Sequence, residues 1–271
     1  MQTVPEEIMQ SIYDKIKSAD PLHAAMFLKN RKRYQMSAEL FLSLPGVKKT
    51  DEILDYGCGF PFVVKIISEA GYQITGYEPY ATDNEKRMAK LLGVENIYLN
   101  VLPENKIYDH ILMIDVIEHL AVISPFMEKI YSMLKPGGIL FISSPNVMRF
   151  DMWKKFVFRK TGHPTSLMKY LKATDHYHNH QREFTMDELI TTLKYFKFND
   201  IILKTIRDTQ PTIAELNTYH QLLNDGQKFS SSLTSKIING ILKLFPASVR
   251  NNNLFVAGRR GEVLAGEDTS Q

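Results

Sequence analysis

The 271-residue chain has a single cysteine, Cys58, which excludes an internal disulfide and a cysteine-rich zinc site. It has no apolar run near the roughly 18 to 20 residues that cross a bilayer. Its first ten residues, MQTVPEEIMQ, lack the charged-then-apolar order of a secretory signal. The expected setting is the cytoplasm, with no transmembrane segment. Charge of one sign is scarce too: 33 Lys and Arg against 30 Asp and Glu leave a net +3, too slight to argue for nucleic acid, which is not expected as a partner. There is no internal repeat, and no low-complexity tract apart from a polar tail at 261–271. What remains is an ordinary globular composition, 44% hydrophobic and 23% charged, at a length suited to one large domain.

The most informative stretch is Ile53–Glu78, ILDYGCGFPFVVKIISEAGYQITGYE. It reads as a short apolar strand, a glycine turn, an apolar-periodic helix, a second strand and an acid at that strand's end. Gly57 and Gly59 lack a Cβ, so the backbone there can lie against a ligand and take positive φ. Glu78 follows about 20 residues on, where a nucleotide-binding β-α-β unit places its ribose-binding carboxylate. The pattern predicts a nucleoside-containing cofactor held at the strand ends. A dinucleotide fingerprint requires G-x-G-x-x-G, and its third glycine would fall at Phe62, so that class is excluded.

Residues 1–50 read as a helical N-terminal extension, with Ile8, Ile12 and Ile16 on one face and a second helical segment, RYQMSAELFLSL, stopped by Pro45-Gly46. Lys29, Arg31, Lys32 and Arg33 between them read as a solvated helix face. Residues 51–260 alternate strands and helices. Strands are expected at 52–56, 73–77, 96–99, 110–114, 139–143, 200–206 and 253–259, and helices at 61–70, 82–92 and 125–134. This is an α/β chain, a Rossmann-like, seven-stranded, mostly parallel sheet flanked by helices. Lys135-Pro136-Gly137-Gly138 reads as a tight turn feeding the fifth strand. Thr185 with Glu188 forms a capping box.

Two helical insertions interrupt the pattern, at 146–183 and 208–250. The first is long for a connection and rich in basic, aromatic and histidine residues, including Arg149, Trp153, Lys154, Lys155, Arg159, Lys160, His176 and His178. It reads as a cap over an acceptor, with either an anion-binding or a solvated basic face. The second carries helices near 211–224 and 233–245. The apolar face of the latter suits packing on the body or in a homodimer, with peripheral membrane contact as the alternative.

Taken together, these motifs resemble the class I S-adenosylmethionine-dependent methyltransferases. The match rests on Asp55-x-Gly57-Cys58-Gly59, on GYEPY, on YDHILMIDVIEHL, on LKPGGILFISSPN and on HQREFTMDELITTLKYFKF, five stretches in the family's order. Pro61 replaces the last motif glycine, at the start of a helix where its missing N–H has no partner to lose. The resemblance implies S-adenosylmethionine as cofactor. Gly57, Cys58 and Gly59 would lie along its methionyl part, with Asp55 ordering the turn. Glu78 would accept from both ribose hydroxyls. Pro79, Tyr80, Asn100 and Val101 would border the adenine, and Asp115 the ligand's amino group.

The chemistry is an in-line displacement at the methyl carbon, which needs alignment and, for a hydroxyl acceptor, a base. His119 and His180 are the candidate bases. Asp115, Glu118, His119 and His180 also resemble the divalent-metal ligands of ubiquinone-pathway O-methyltransferases and small-RNA 2′-O-methyltransferases. Metal-independent relatives keep the Glu-His pair as well, so both readings stay open. The expected reaction is O-methylation of a small-molecule or glycan acceptor. The alternatives are methylation of RNA and cofactor binding without catalysis.

Overall fold

The computed structural model describes residues 3–150, 152, 180–223, 246 and 251–261. Seven strands form one sheet: β1 (Ile53–Tyr56), β2 (Ile74–Tyr77), β3 (Tyr98–Leu99), β4 (Tyr108–Ile114), β5 (Leu134–Pro145), β6 (Phe198–Arg207) and β7 (Asn253–Arg260). Their order is β3-β2-β1-β4-β5-β7-β6. The first five run parallel, and β7 is antiparallel to both β5 and β6. The chain moves outward from β1 in one direction through β2 and β3, then returns to β4 on the other side. The C-terminal ends of β1 and β4 therefore open a crevice, the place where open α/β sheets take ligands.

All four residues of β1 are buried, as a strand covered on both faces requires. One face packs under α3 (Phe62–Glu69) and α4 (Asp83–Leu92), the other under α5 (Ser124–Met133) and α6 (Met186–Tyr195). Thr82 with Glu85, and Thr185 with Glu188, close reciprocal capping boxes on α4 and α6.

The N-terminal residues form α1 (Glu6–Ala19) and a single 22-residue helix, α2 (Pro21–Leu42), which Asp20 caps and Pro21 begins. The basic run thus sits mid-helix. Met9, Ile16, Phe27 and Phe41 share one apolar cluster with Ile53, Phe62 and Phe141, so these helices belong to the core of the body. The Phe27 and Phe62 rings meet edge-on at 5.2 Å. A further helix, α7 (Ile213–Leu223), packs across α2, with the Lys29 ammonium 5.3 Å from the Tyr219 ring.

Two local expectations are corrected. Lys135–Gly138 is an irregularity inside β5 rather than a turn before it: the partner strand advances from Tyr108 to His110 while β5 runs from Leu134 to Ile139. Gly138 is confined there, because a Cβ would lie 2.5 Å from the Asp109 carbonyl oxygen. The third strand is also shorter, since Glu95–Ile97 winds into a 3-10 turn. The helix expected at 233–245, the basic residues Trp153 to Lys160 and the histidines His176 and His178 lie outside the described residues. No helix of the described residues is long and apolar enough to cross a membrane.

The central strand carries an acid with a pH signature. Asp55 is buried, and burial followed by the nearby Glu78 charge pushes its carboxyl up to about 7. A raised acid favours the fold fully below its ordinary 3.8, and that contribution is lost as pH rises through 7. Urea unfolding should show the wild type losing about 1 kcal/mol relative to Asp55→Asn between pH 6 and 8. Parallel stability profiles for the two proteins would contradict this.

Candidate active site

The turn after β1 is held by backbone. The N–H groups of Gly57 and Cys58 both donate to the Tyr77 carbonyl, at 2.8 and 3.1 Å, carrying the β1–β2 ladder around the bend. Gly57 has φ +75°, and a Cβ there would meet Val116 Cγ2 at 2.8 Å, so neither the conformation nor the space admits a side chain. Gly59 donates to Glu78 Oε2 at 3.1 Å, and the Tyr98 hydroxyl donates to the Gly59 carbonyl at 2.9 Å. Asp55 makes no hydrogen bond to this turn, and its Oδ1 is buried without a partner. The ordering role expected of it belongs to Tyr77, Glu78 and Tyr98. Pro61 is the N-cap of α3, one position before the helix proper. The Cys58 thiol lies over Gly76, where a Cβ would be 2.9 Å from Sγ. Burial, then the Asp55 and Glu78 charges, push that thiol well above its usual range, which makes it a packing group.

Glu78 ends β2 as expected. Each carboxylate oxygen accepts one backbone N–H, from Gly59 and from Tyr80 at 3.2 Å, leaving further lone pairs for ligand hydroxyls. Burial raises its pKa, against the pull of those two donors. Asn100 donates to the Glu78 carbonyl at 2.9 Å, so its amide orientation is set from the protein side. A cavity of about 250 Å³ lies beside this acid, lined by Tyr56, Gly57, Glu78, Pro79, Tyr80, Asp115, Val116, His119 and Phe126 among others. Pro79 and Tyr80 therefore line the same cavity as Glu78. Asn100 and Val101 are exposed and do not line the cavity.

Asp115 ends β4 at φ +54°, a left-handed conformation uncommon for a side-chain-bearing residue. Such strain costs about 1–3 kcal/mol and persists where surroundings impose it. Here the Arg33 guanidinium lies 2.6 Å from Oδ2, the Ser143 hydroxyl donates to Oδ1 at 3.1 Å, and the Asp115 N–H donates to the Ser143 carbonyl at 3.0 Å. Arg33 was missed as a site residue because the basic run looked like one solvated face. The run is in fact divided around the helix. Arg33 shares a row with Ser37 and the buried Phe41, Arg31 pairs with Glu6, and Lys32 lies 3.7 Å from Asp208. The signal available was the lack of any proline or glycine between Pro21 and Pro45, which leaves nothing to break a single helix there.

Glu118 and His119 lie on a 3-10 turn, Ile117–His119, just after β4. Glu118 is fully buried, and both carboxylate oxygens lack a hydrogen-bond partner. Burial, then the Asp115 charge, raise its pKa well above the ordinary value, with Arg33 opposing. The His119 and His180 rings meet edge-on at 4.8 Å. Each of Glu118, His119 and His180 offers a ligand atom, and the three atoms lie within 4.8 Å of one another. A buried, orphaned carboxylate beside two imidazoles fits a divalent cation. Asp115, the fourth residue expected, is outside this group because its carboxylate is committed to Arg33 and Ser143. Glu183 is a second residue the sequence reading missed. Burial opposes its ionisation, but bonds from His180 and Arg149 hold its carboxyl below the usual range. Arg149, read as part of a basic cap, is spent on this pair.

The sequence profile of a family described as a methyltransferase domain matches residues 27–201. A ubiquinone biosynthesis O-methyltransferase from Rickettsia canadensis is 33% identical over 104 residues, covering 36% of this chain and 44% of the relative. The chain spans about half the length of the curated relatives it matches. Among solved structures, a SAM-dependent methyltransferase from Archaeoglobus fulgidus aligns with TM-score 0.53 at 17% identity, covering 87% of this chain and 98% of that one. A phosphoethanolamine N-methyltransferase from Haemonchus contortus, in complex with S-adenosylmethionine, aligns with TM-score 0.51 at 17% identity, covering 93% and 60%. These two likenesses establish the fold. The matched profile covers more than half of the chain and includes the β1 turn, Glu78 and the Glu118–His119 turn, and the chain therefore belongs to the class I S-adenosylmethionine-dependent methyltransferases.

Proposed function

We propose that this protein transfers the methyl group of S-adenosylmethionine to a hydroxyl oxygen of a small-molecule or glycan acceptor. The observation that carries the reading is that one cavity is lined both by Glu78, a carboxylate suited to ribose hydroxyls, and by His119, which is grouped with His180 and Glu118. The name of the Rickettsia relative, an O-methyltransferase, supports oxygen as the accepting atom.

In this reading Glu78 binds the ribose, and Tyr80 with Pro79 borders the adenine. The Gly57–Gly59 backbone lies along the methionyl part. Asp115 lines the same cavity, and its carboxylate, held in place by Arg33, would face the amino group of the same ligand. The acceptor hydroxyl approaches the methyl carbon opposite sulfur, and His119 or His180 takes its proton as the C–O bond forms and the C–S bond breaks. In the alternative, Glu118, His119 and His180 would hold a divalent cation, using the same imidazole lone pairs, and the cation would acidify the hydroxyl in place of a histidine base. The acids that line the cavity, Glu78, Glu85 and Asp115, suit the positive sulfonium donor and disfavour polyphosphate, so RNA is the weaker reading.

Replacing Glu78 with alanine removes charge-assisted hydrogen bonds of about 1.5–3 kcal/mol. Calorimetry should then record the Kd for S-adenosylhomocysteine rising by about 10- to 100-fold, and an unchanged Kd would count against the ribose role. His119→Ala and His180→Ala should each lower turnover by about 100-fold or more with cofactor affinity nearly constant. A radiolabelled methyl-transfer screen over phenols, sugars and glycans measures this, and unaltered turnover in both variants would exclude the histidines. Exhaustive chelation should abolish turnover, with recovery on adding divalent cation. Activity that survives removal of all bound metal would reject the cation.

A further inference from the structure

Glu183 lies just before α6, and its side chain is only 1% exposed. Both of its oxygens are engaged. Arg149 pairs with the two together, Nη2 donating to Oε1 at 3.0 Å and Nη1 to Oε2, while His180 Nδ1 lies 2.9 Å from Oε1. Arg149 is itself fixed, since Nη1 also donates to the Asn146 carbonyl at 3.0 Å. The backbone around the histidine is fixed as well. The N–H groups of Gln181 and Arg182 donate to the Glu118 carbonyl at 2.7 and 3.2 Å, which seats His180 directly on the turn that carries Glu118 and His119.

Proton placement follows from these contacts. A guanidinium is charged at any accessible pH, so a carboxylate paired with it through both oxygens is ionised and can only accept. The hydrogen between Glu183 and His180 therefore belongs to Nδ1, and in the neutral imidazole the lone pair is on Nε2. A general base and a cation ligand both need that lone pair.

We propose that Glu183 is a positioning residue for methyl transfer: braced by Arg149, it locks His180 in the Nδ1–H tautomer and presents Nε2 on the Glu118–His119 side. This rests on the reading of His180 as an acceptor-side group. A carboxamide at 183 could donate or accept, and would meet Arg149 through one oxygen, so it would no longer dictate the tautomer.

The test is long-range proton–nitrogen correlation on the full chain labelled with 15N-histidine, at pH 8, with and without S-adenosylhomocysteine. The His180 signals are assigned by their loss in His180→Asn. The wild type should show protonated Nδ1 and unprotonated Nε2. Glu183→Gln should show a mixture of both tautomers, and Glu183→Asp should restore one. A wild-type His180 protonated at Nε2 overturns the proposal, and that measurement stands even if the glutamine variant does not fold. A Glu183→Gln spectrum identical to wild type overturns it too. If His180→Asn leaves methyl transfer intact, the functional reading of His180 falls and the positioning role falls with it. If His180→Asn abolishes transfer but the tautomer is wrong, only the positioning role is lost.

Discussion

The ion pair between Arg33 and Asp115 joins the middle of α2 to the C-terminal end of β4. Asp115 ends the strand beside the crevice, in a backbone conformation its residue type disfavours. Arg33 comes from a helix whose apolar side is continuous with the core. The contact therefore translates the packing of α2 into the position of a site carboxylate. It also supplies countercharge in a region where Asp55, Glu78, Asp115 and Glu118 crowd together, three of them with pKa values raised by burial. Without that cation, the cost of holding so much negative charge out of water would fall on the fold or on the bound ligand.

The parts of the fold legible in the sequence are those that local spacing controls. The glycine turn and the acid that follows it are separated by one helix and one strand, so their relation survives translation into space almost unchanged. The capping box of Thr185 with Glu188 acts within four positions and is where the pattern placed it; Thr82, read as the first helical residue, caps α4 in the same way. Arg33, Arg149 and Glu183 were obscure for the opposite reason. A basic residue on a helix, or at the edge of a long connection, resembles solvated charge until the partner carboxylate is known, and these partners lie 82 and 34 positions away. The Lys135–Gly138 segment shows a third kind of miss. Proline and glycine mark a departure from regular dihedrals, but the same residues serve a bulge and a turn alike, and only the neighbouring strand decides which forms.

The two ends of the site differ in how their chemistry is held. At the Glu78 end the ligand-facing groups are fixed by main-chain hydrogen bonds, from Gly59 and Tyr80, which no surface substitution removes. At the histidine end the geometry depends on side chains and on a peptide segment seated on the Glu118 carbonyl. A nucleoside has one shape, and a backbone cradle suits it. An acceptor site built from side chains can be altered without disturbing the donor, which is how one fold serves many substrates.

The clasp at Glu183 joins positions far apart in the chain. One carboxylate grips both Arg149 and His180, and the Val147 N–H donates to the Phe184 carbonyl beside them. The strand end at β5 and the approach to α6 are thus tied at a common point. Loss of that one carboxylate would release an arginine and a histidine together, so the residues just after β5 and those just before α6 rise or fall in order as a unit.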